Sequence, residues 1–326
     1  MEFDLIDTIR AHVNIARDDV VLGIGDDAAL TRVAPGRQLV TCADTLVAGV
    51  HFPGDTAPED LGWKSLAVNL SDLAAMGAAP AWALLALTLP EADARFVERF
   101  AQGFAELARA HDVVLIGGDT TQGPLSITVT ALGTVPPGEA LTRAGARVGD
   151  AVFVTGTLGD AAGALRLLQA ARNREPPAEG LRPSIAAMSS RLRRPEPRVA
   201  AGLALRGIAN ACIDVSDGLL ADLGHVCAAS GVGALLAADA LPLSSALTPA
   251  FDAATCRELA LAGGDDYELC FTATGAREAD MQAALARAGC QATRIGHIVA
   301  GSGLRVLDVY GNEVATPRAG WEHFSR

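Results

Sequence analysis

Residues 23–29 read Gly23-Ile24-Gly25-Asp26-Asp27-Ala28-Ala29, with an apolar run, Val20 to Leu22, leading in and small residues following. Adjacent carboxylates just past a buried strand repel each other and lose hydration, so a fold needs a reason to keep them. One reason is a hard divalent cation, which takes oxygen ligands and offsets the charge. The other is an ordinary turn, because Gly and Asp are common turn residues. These seven residues leave both open.

The same pattern recurs downstream. Carboxylates end apolar runs beside small residues at Asp44, at Asp119 in Gly117-Gly118-Asp119, at Asp214 with Asp217 in Asp214-Val215-Ser216-Asp217-Gly218, and at Asp265-Asp266 after Gly263-Gly264. Recurrence at the ends of predicted strands points to one rim, and ligands gather at that rim in α/β sheets. Glycine beside each acid lets backbone amides approach a phosphate, while the acids hold a bridging cation. Asp72, in Asn69-Leu70-Ser71-Asp72-Leu73, falls late in a predicted helix. The helix dipole disfavours an anion there by roughly 0.3–1 kcal/mol. Asp72 is either a solvent-facing acid that tolerates the penalty or a cation ligand that reverses it.

Between these acids the chain alternates helices and strands. Apolar spacing predicts a helix over residues 3–13, then strands over 20–24, 39–43 and 46–51. Pro58, Glu59 and Asp60 open a helix that Gly77 ends. Strands are expected at 82–89, 113–116 and 125–135, and an amphipathic helix at 91–110. Pro136-Pro137-Gly138 marks a boundary, which divides the chain into domains 1–137 and 138–326. The second half continues with strands over 151–155, 234–238, 267–272, 293–298 and 304–309, and another ending at 212–214. Helices are expected at 160–171, 185–206 (broken near Pro195 and Pro197), 216–230, 244–261 and 277–288. Both halves are α/β, with mixed rather than purely parallel sheets.

Half of the 326 residues are apolar, enough for a sizeable core in two domains. A net charge of −12 argues against nucleic acid or an anionic membrane as the main partner. No apolar run approaches the roughly 18 residues of a membrane span. Six cysteines without a C-x-x-C pair read as reduced, mostly buried thiols. The expected location is the cytoplasm.

Absent motifs narrow the chemistry. There is no Walker phosphate loop, and Lys64, read as a solvated helix residue, is the single lysine. The protein-kinase signatures and the G-x-S-x-G elbow are missing too. Phosphate charge must then be met by metals, backbone amides and arginine. Gly156-Thr157-Leu158-Gly159 has its third glycine misplaced for a dinucleotide loop and reads as a tight turn and helix cap. Arg143 is a surface arginine or a phosphate clamp. Arg191, Arg193, Arg194 and Arg198 read as a solvated helix entrance rather than an anion site. His51 is a structural histidine or a phosphate contact, and Trp321 either staples the C-terminal segment or stacks on a flat ring.

Taken in order, residues 23–29, 43–52, 67–77, 116–121, 141–143, 213–219, 263–269 and 320–324 resemble the thiamine-monophosphate kinase family, of the aminoimidazole ribonucleotide synthetase superfamily. The resemblance covers essentially the whole chain. It implies ATP-dependent phosphorylation of thiamine monophosphate to thiamine diphosphate by direct transfer, without a phosphoenzyme. It also implies several Mg²⁺ ions on Asp27, Asp44, Asp72, Asp119, Asp214 and Asp217, with Asp72, Asp119 and Arg143 central to catalysis. ATP would be held by Gly118, Asp119, Arg143 and Ser216, and thiamine monophosphate by His51, Asp265 and Trp321. The implied assembly is a homodimer whose N-terminal domains, which carry the metal and ATP sites, build a joint β-barrel. The C-terminal α/β domain would close over each site. Two positions depart from the family: Cys42 and Ala43 precede Asp44 where Ser or Thr is usual, and Asp265 stands where Glu is common. The rival readings are another ATP-using enzyme of the superfamily and a noncatalytic nucleotide sensor.

Overall fold

The computed structural model describes residues 2–13, 15–173, 179–316 and 320. In chain order its elements are α1 (Glu2–His12), β1 (Val20–Leu22), β2 (Leu30–Thr31), β3 (Gln38–Val47), α2 (Pro58–Ala75), β4 (Ala79–Leu89), α3 (Ala94–Ala110), β5 (Val114–Gln122) and β6 (Ser126–Val135). Then come β7 (Ala151–Thr155), α4 (Asp160–Arg172), α5 (Arg182–Arg193), α6 (Val199–Ala204), β8 (Ala211–Val215), α7 (Leu219–Ser230) and β9 (Gly233–Ala237). The last are α8 (Ala253–Ala262), β10 (Glu268–Ala273), α9 (Glu278–Arg287), β11 (Ala292–Val299) and β12 (Gly303–Leu307). Packing divides the chain into two units, Met1–Leu73 with Ala78–Ala140, and Ala74–Gly77 with Leu141–Arg326.

In the first unit a four-stranded sheet runs β3-β6-β4-β5, mixed because β4 and β5 are parallel and the other neighbours antiparallel. Its strands alternate as a half-buried sheet must: Ile127, Val129 and Ala131 of β6 are buried, while Thr128, Thr130 and Leu132 between them are partly exposed. Helices α2 and α3 touch closely through glycine. A Cβ on Gly103 would fall 1.8 Å from the Glu59 carbonyl oxygen, and one on Gly62 would fall 2.0 Å from that of Phe100. The start of α3 is capped by Asp93, whose carboxylate accepts the Phe96 amide at 3.0 Å.

The opening stretch 23–29 is the loop of a small hairpin, with β1 and β2 paired antiparallel. The strand before it is not buried as expected; Val21 is 51% exposed. The physical reason is that this ladder lies outside the four-stranded sheet and buries only part of one side. Val20 and Ala29 pack against Ala81, Trp82, Val114 and Ile116.

The second unit holds a six-stranded sheet in the order β12-β9-β11-β7-β10-β8, antiparallel apart from the β12–β9 pair. Strands β7, β8 and β10 are buried along their whole length. One core packs Val152, Val154, Ile213, Val215 and Cys270 against Leu219, Leu223 and Val226 of α7. Gly156 and Gly159 both take positive φ, 55° and 89°, and Gly159 caps α4, in keeping with a tight turn and helix cap. Among the described residues, no helix is long and apolar enough to cross a membrane.

Candidate active site

Asp44 sits in mid-strand. The expectation of two strands broken by an acidic turn is corrected: β3 pairs with β6 without interruption from Gln38 to Val47, with Asp44 opposite Val129. Beside it, Asn69 of α2 joins helix to strand. Its Oδ1 accepts the Asp44 amide at 3.1 Å, its Nδ2 donates to the Ser65 carbonyl at 3.0 Å, and its own carbonyl accepts the Cys42 thiol at 3.4 Å. Asp72 lies one turn further on, three residues from Asn69, so both share a helix face. Burial, then the charges of Asp72 and Asp44, push the Cys42 thiol above its ordinary value. The structure therefore brings Asp44 and Asp72 to one half-buried place, around a thiol held neutral.

Asp119 lies inside β5, not after its end, because β5 continues to Gln122. The pairing of β4 with β5 skips Ile116, a bulge of the kind that re-aims the following side chains. Gly118 has φ 153°, and a Cβ there would fall 1.8 Å from the Leu85 carbonyl oxygen. Glycine is thus obligatory at 118 for the sheet itself. Asp44, Val129, Leu85 and Gly118 form one row across the sheet, spanning roughly 14 Å at about 4.8 Å per strand. Asp119 is one residue beyond that row and exposed, and Asp27 is exposed in the hairpin loop. His51 follows β3 in a turn, where the Val47 amide donates to its Nδ1 at 3.0 Å. A neutral imidazole held so carries its proton on Nε2.

In the second unit Asp214 is a buried residue of β8, and Ser216, Asp217 and Gly218 form the loop into α7. The helix starts three residues later than expected because this loop has another partner: its three consecutive amides converge on Asp222 Oδ2, each at 3.1 Å. Such a nest is an anion site, and here a side chain fills it. Burial, then the charges of Asp214 and Asp217, push the Asp222 carboxyl up to about 7.

Loop 263–267 is laced to the same segment. The Asp265 amide donates to the Ser216 carbonyl and the Tyr267 amide to the Val215 carbonyl, both at 2.8 Å. Asp265 and Tyr267 have φ of 69° and 51°, each a strain of about 1–3 kcal/mol that persists only where surroundings over-determine it. The Tyr267 hydroxyl donates to Asp265 Oδ1 at 2.9 Å. Arg143 lies in an exposed segment, its carbonyl accepting the Ser230 hydroxyl at 3.2 Å. Trp321 lies outside the described residues.

Sequence reasoning missed a buried ion network. Glu268, 1% exposed, accepts Arg198 Nε and Nη2 at 2.7 Å each, Arg191 Nη2 at 2.9 Å and the Thr155 hydroxyl at 2.7 Å. Burial opposes its ionisation, but Arg198, Arg191 and Thr155 outweigh that and hold its carboxyl below the ordinary value. Arg191 and Arg198 are therefore partners of a core carboxylate, not a solvated helix entrance. Asp266 is also buried, its two oxygens facing the Gly159 amide at 3.1 and 2.8 Å, and burial pushes its carboxyl well up. Lys64 is another correction: it is 4% exposed within α2. A glutamate at the start of an otherwise apolar strand, with arginines bracketing two prolines elsewhere, was the available signal.

Asp27, Asp44, Asp72 and Asp119 belong to the first unit, Asp214 and Asp217 to the second. Among the described residues, no three His, Cys, Asp or Glu side chains are grouped to hold one ion. The donor set consists of carboxylate oxygens, with acids gathered at 44 and 72 and at 214 and 217. It fits a small hard cation, which takes one or two carboxylates and completes its shell with water and phosphate.

Two family models match the chain: AIR synthase related protein, N-terminal domain, over residues 25–135, and AIR synthase related protein, C-terminal domain, over residues 147–309. The thiamine-monophosphate kinase of Escherichia coli K12 is 45% identical over 99% of this chain and 98% of its own. The crystal structure of thiamine-monophosphate kinase from Stenotrophomonas maltophilia K279a superposes with a TM-score of 0.86, at 54% identity over 94% of this chain and 96% of that one. A solved structure of AaThiL complexed with AMPPCP and TMP superposes with a TM-score of 0.77, at 34% identity over 99% of this chain and 97% of that one. With both domains matched and near half-identity along nearly the full length, the chain belongs to the thiamine-monophosphate kinase family of AIR synthase related proteins.

Proposed function

We propose that this chain transfers the γ-phosphoryl group of ATP onto the phosphate of thiamine monophosphate, giving thiamine diphosphate and ADP. The observation that carries the proposal is the full-length likeness to AaThiL complexed with AMPPCP and TMP. The half-buried carboxylates gathered around β3 and α2 support it.

Both reactants are anions, so positioning and charge neutralisation matter more than a covalent nucleophile. Asp27, Asp44, Asp72 and Asp119, with Asp214 and Asp217, would hold Mg²⁺. When bound there, several Mg²⁺ supply the positive charge that screens the two phosphate groups from each other. Gly118, Asp119, Arg143 and Ser216 hold the nucleotide; Gly118 lets the backbone come close, and the Arg143 guanidinium can grip phosphate oxygens bidentately. The His51 Nε2 proton suits the acceptor phosphate. Asp265 and Trp321 take the thiamine rings, a carboxylate being suited to a cationic ring system.

An oxygen of the acceptor phosphate, already ionised at neutral pH, forms the new P–O bond while the bond to the β,γ-bridging oxygen breaks and its electron pair leaves with ADP. No side chain needs to remove a proton, and no phosphoenzyme forms. Domain 1–137 supplies Asp27, Asp44, Asp72, Gly118 and Asp119 to this set and domain 138–326 supplies Arg143, Asp214, Ser216 and Asp217, in a cytoplasmic homodimer. The second copy would set its four-stranded sheet against the open face of this one, where Leu39 and Leu84 are 47% and 37% exposed, with edge strands of the two sheets meeting to close a barrel.

Incubation with ATP and Mg²⁺, with and without thiamine monophosphate, tests the proposal by mass detection of products. The expected result is equimolar ADP and thiamine diphosphate, formed only when both substrates are present. ADP released without thiamine monophosphate, or nucleotide bound but never consumed, would overturn it.

A further inference from the structure

Loop 263–267 places an acid, a buried acid and a buried phenol in three consecutive positions, 265, 266 and 267. With Asp265 and Tyr267 both at positive φ, side chains two residues apart meet, and the Tyr267 hydroxyl reaches Asp265 Oδ1 at 2.9 Å. Tyr267 is 7% exposed, so its ring is held by the core and its hydroxyl is presented from a fixed place. The backbone carrying it is fixed as well. The amides of 265 and 267 donate to the carbonyls of 216 and 215, and Asp266 between them is pinned on the Gly159 amide.

We propose that Tyr267 is a positioning residue for thiamine recognition: its phenol holds the Asp265 carboxylate in one orientation, ready for the substrate. This rests on the reading that Asp265 meets the thiamine moiety. A carboxylate on a short side chain otherwise samples several rotamers and pays to be ordered on binding. A donor locked at the right distance removes that cost before the substrate arrives. The effect should fall on thiamine monophosphate and spare ATP.

The test is steady-state kinetics of Tyr267→Phe, Asp265→Asn and the double variant, with each substrate varied in turn. Tyr267→Phe removes one oxygen and keeps the buried ring. The expected result is a KM for thiamine monophosphate about tenfold higher, with kcat and the KM for ATP within about twofold, as for loss of one hydrogen bond to a charged group. Asp265→Asn should raise the same KM at least as much, and adding Tyr267→Phe to it should change little, since the phenol acts through that carboxylate. A purely structural tyrosine would move both KM values together, or act as strongly in the Asp265→Asn background; either result overturns the proposal. If Asp265→Asn raises the KM but Tyr267→Phe does not, this inference fails and the substrate role of Asp265 stands. If Asp265→Asn leaves the KM unchanged, both fall.

Discussion

Glu268 in the second unit is 1% exposed and gripped by Arg191 and Arg198 at 2.9 and 2.7 Å. Asp44 and Asp72 in the first unit are half-buried, and both act on one neutral thiol, Cys42. Around Glu268 the protein supplies its own cations, and the carboxyl titrates below its ordinary value. Around Cys42 the acids are neighbours of each other, and their summed charge is felt by the thiol between them. The first arrangement is complete within the chain and serves the fold. The second gathers two half-buried acids around one thiol, the residue type that the proposed cation-bound phosphates call for. Asp265 and Asp266 repeat the contrast one residue apart, the former partly exposed on a phenol, the latter sealed onto a backbone amide.

If that division holds, variants in the two regions should separate activity from stability. The largest effect is expected for Asp72→Ala and Asp119→Ala: turnover at saturating Mg²⁺ falls by about 10³-fold or more, while circular dichroism and melting stay as in the wild type. Near-normal turnover in either, or a melting loss as large as the activity loss, breaks the comparison. Next is Glu268→Gln, which leaves two guanidiniums facing a neutral amide. Breaking such a buried pair costs about 3–5 kcal/mol, a melting shift on the order of 10 °C.

The pH dependence of that loss follows from the sign of the Glu268 shift. Its folded-state value lies below the unfolded one, so its contribution is complete above about pH 4.3 and is lost as pH falls through the folded value. The gap between wild type and Glu268→Gln should therefore close on acidification, as followed by denaturant melts at stepped pH. Asp222 has the opposite sign. With its carboxyl raised to about 7, the folded protein without metal loses stability as pH rises from the unfolded value, about 3.9, through 7. Asp222→Asn should make that decline shallower, the remainder coming from Asp266, whose carboxyl is also raised by burial, and an unchanged slope would refute it. The smallest change is expected for Arg143→Ala, an exposed side chain: a KM for ATP several-fold higher, with no shift in melting.

Much of the fold was legible in residue patterns, and the reasons are local. Apolar spacing marked α1 and α3, prolines 195 and 197 marked the break between α5 and α6, and Gly156 and Gly159 marked the turn into α4. What was not legible depends on partners distant in sequence. Ala43-Asp44-Thr45 has the composition of a turn, but β6 offers a continuous ladder to all of residues 38–47, and cross-strand pairing overrides local preference. Likewise β5 runs on through Gly117-Gly118-Asp119 because β4 pairs with it to Gln122. The acids of the candidate site were visible by residue type. Their sorting into partly exposed acids and a core carboxylate gripped by arginines was not, because Arg198 lies 70 residues from Glu268 in sequence. Nor did anything in Asp222 announce that it gathers the amides of 216–218.

We propose that the phosphoryl group passes directly between two anions held in line. ATP made chiral at the γ-phosphorus with oxygen isotopes and sulfur, turned over with thiamine monophosphate, tests it most directly. One direct displacement inverts the configuration in the thiamine diphosphate product, and inversion is the predicted result. Retention would require two displacements through a phosphorylated side chain and would contradict the account.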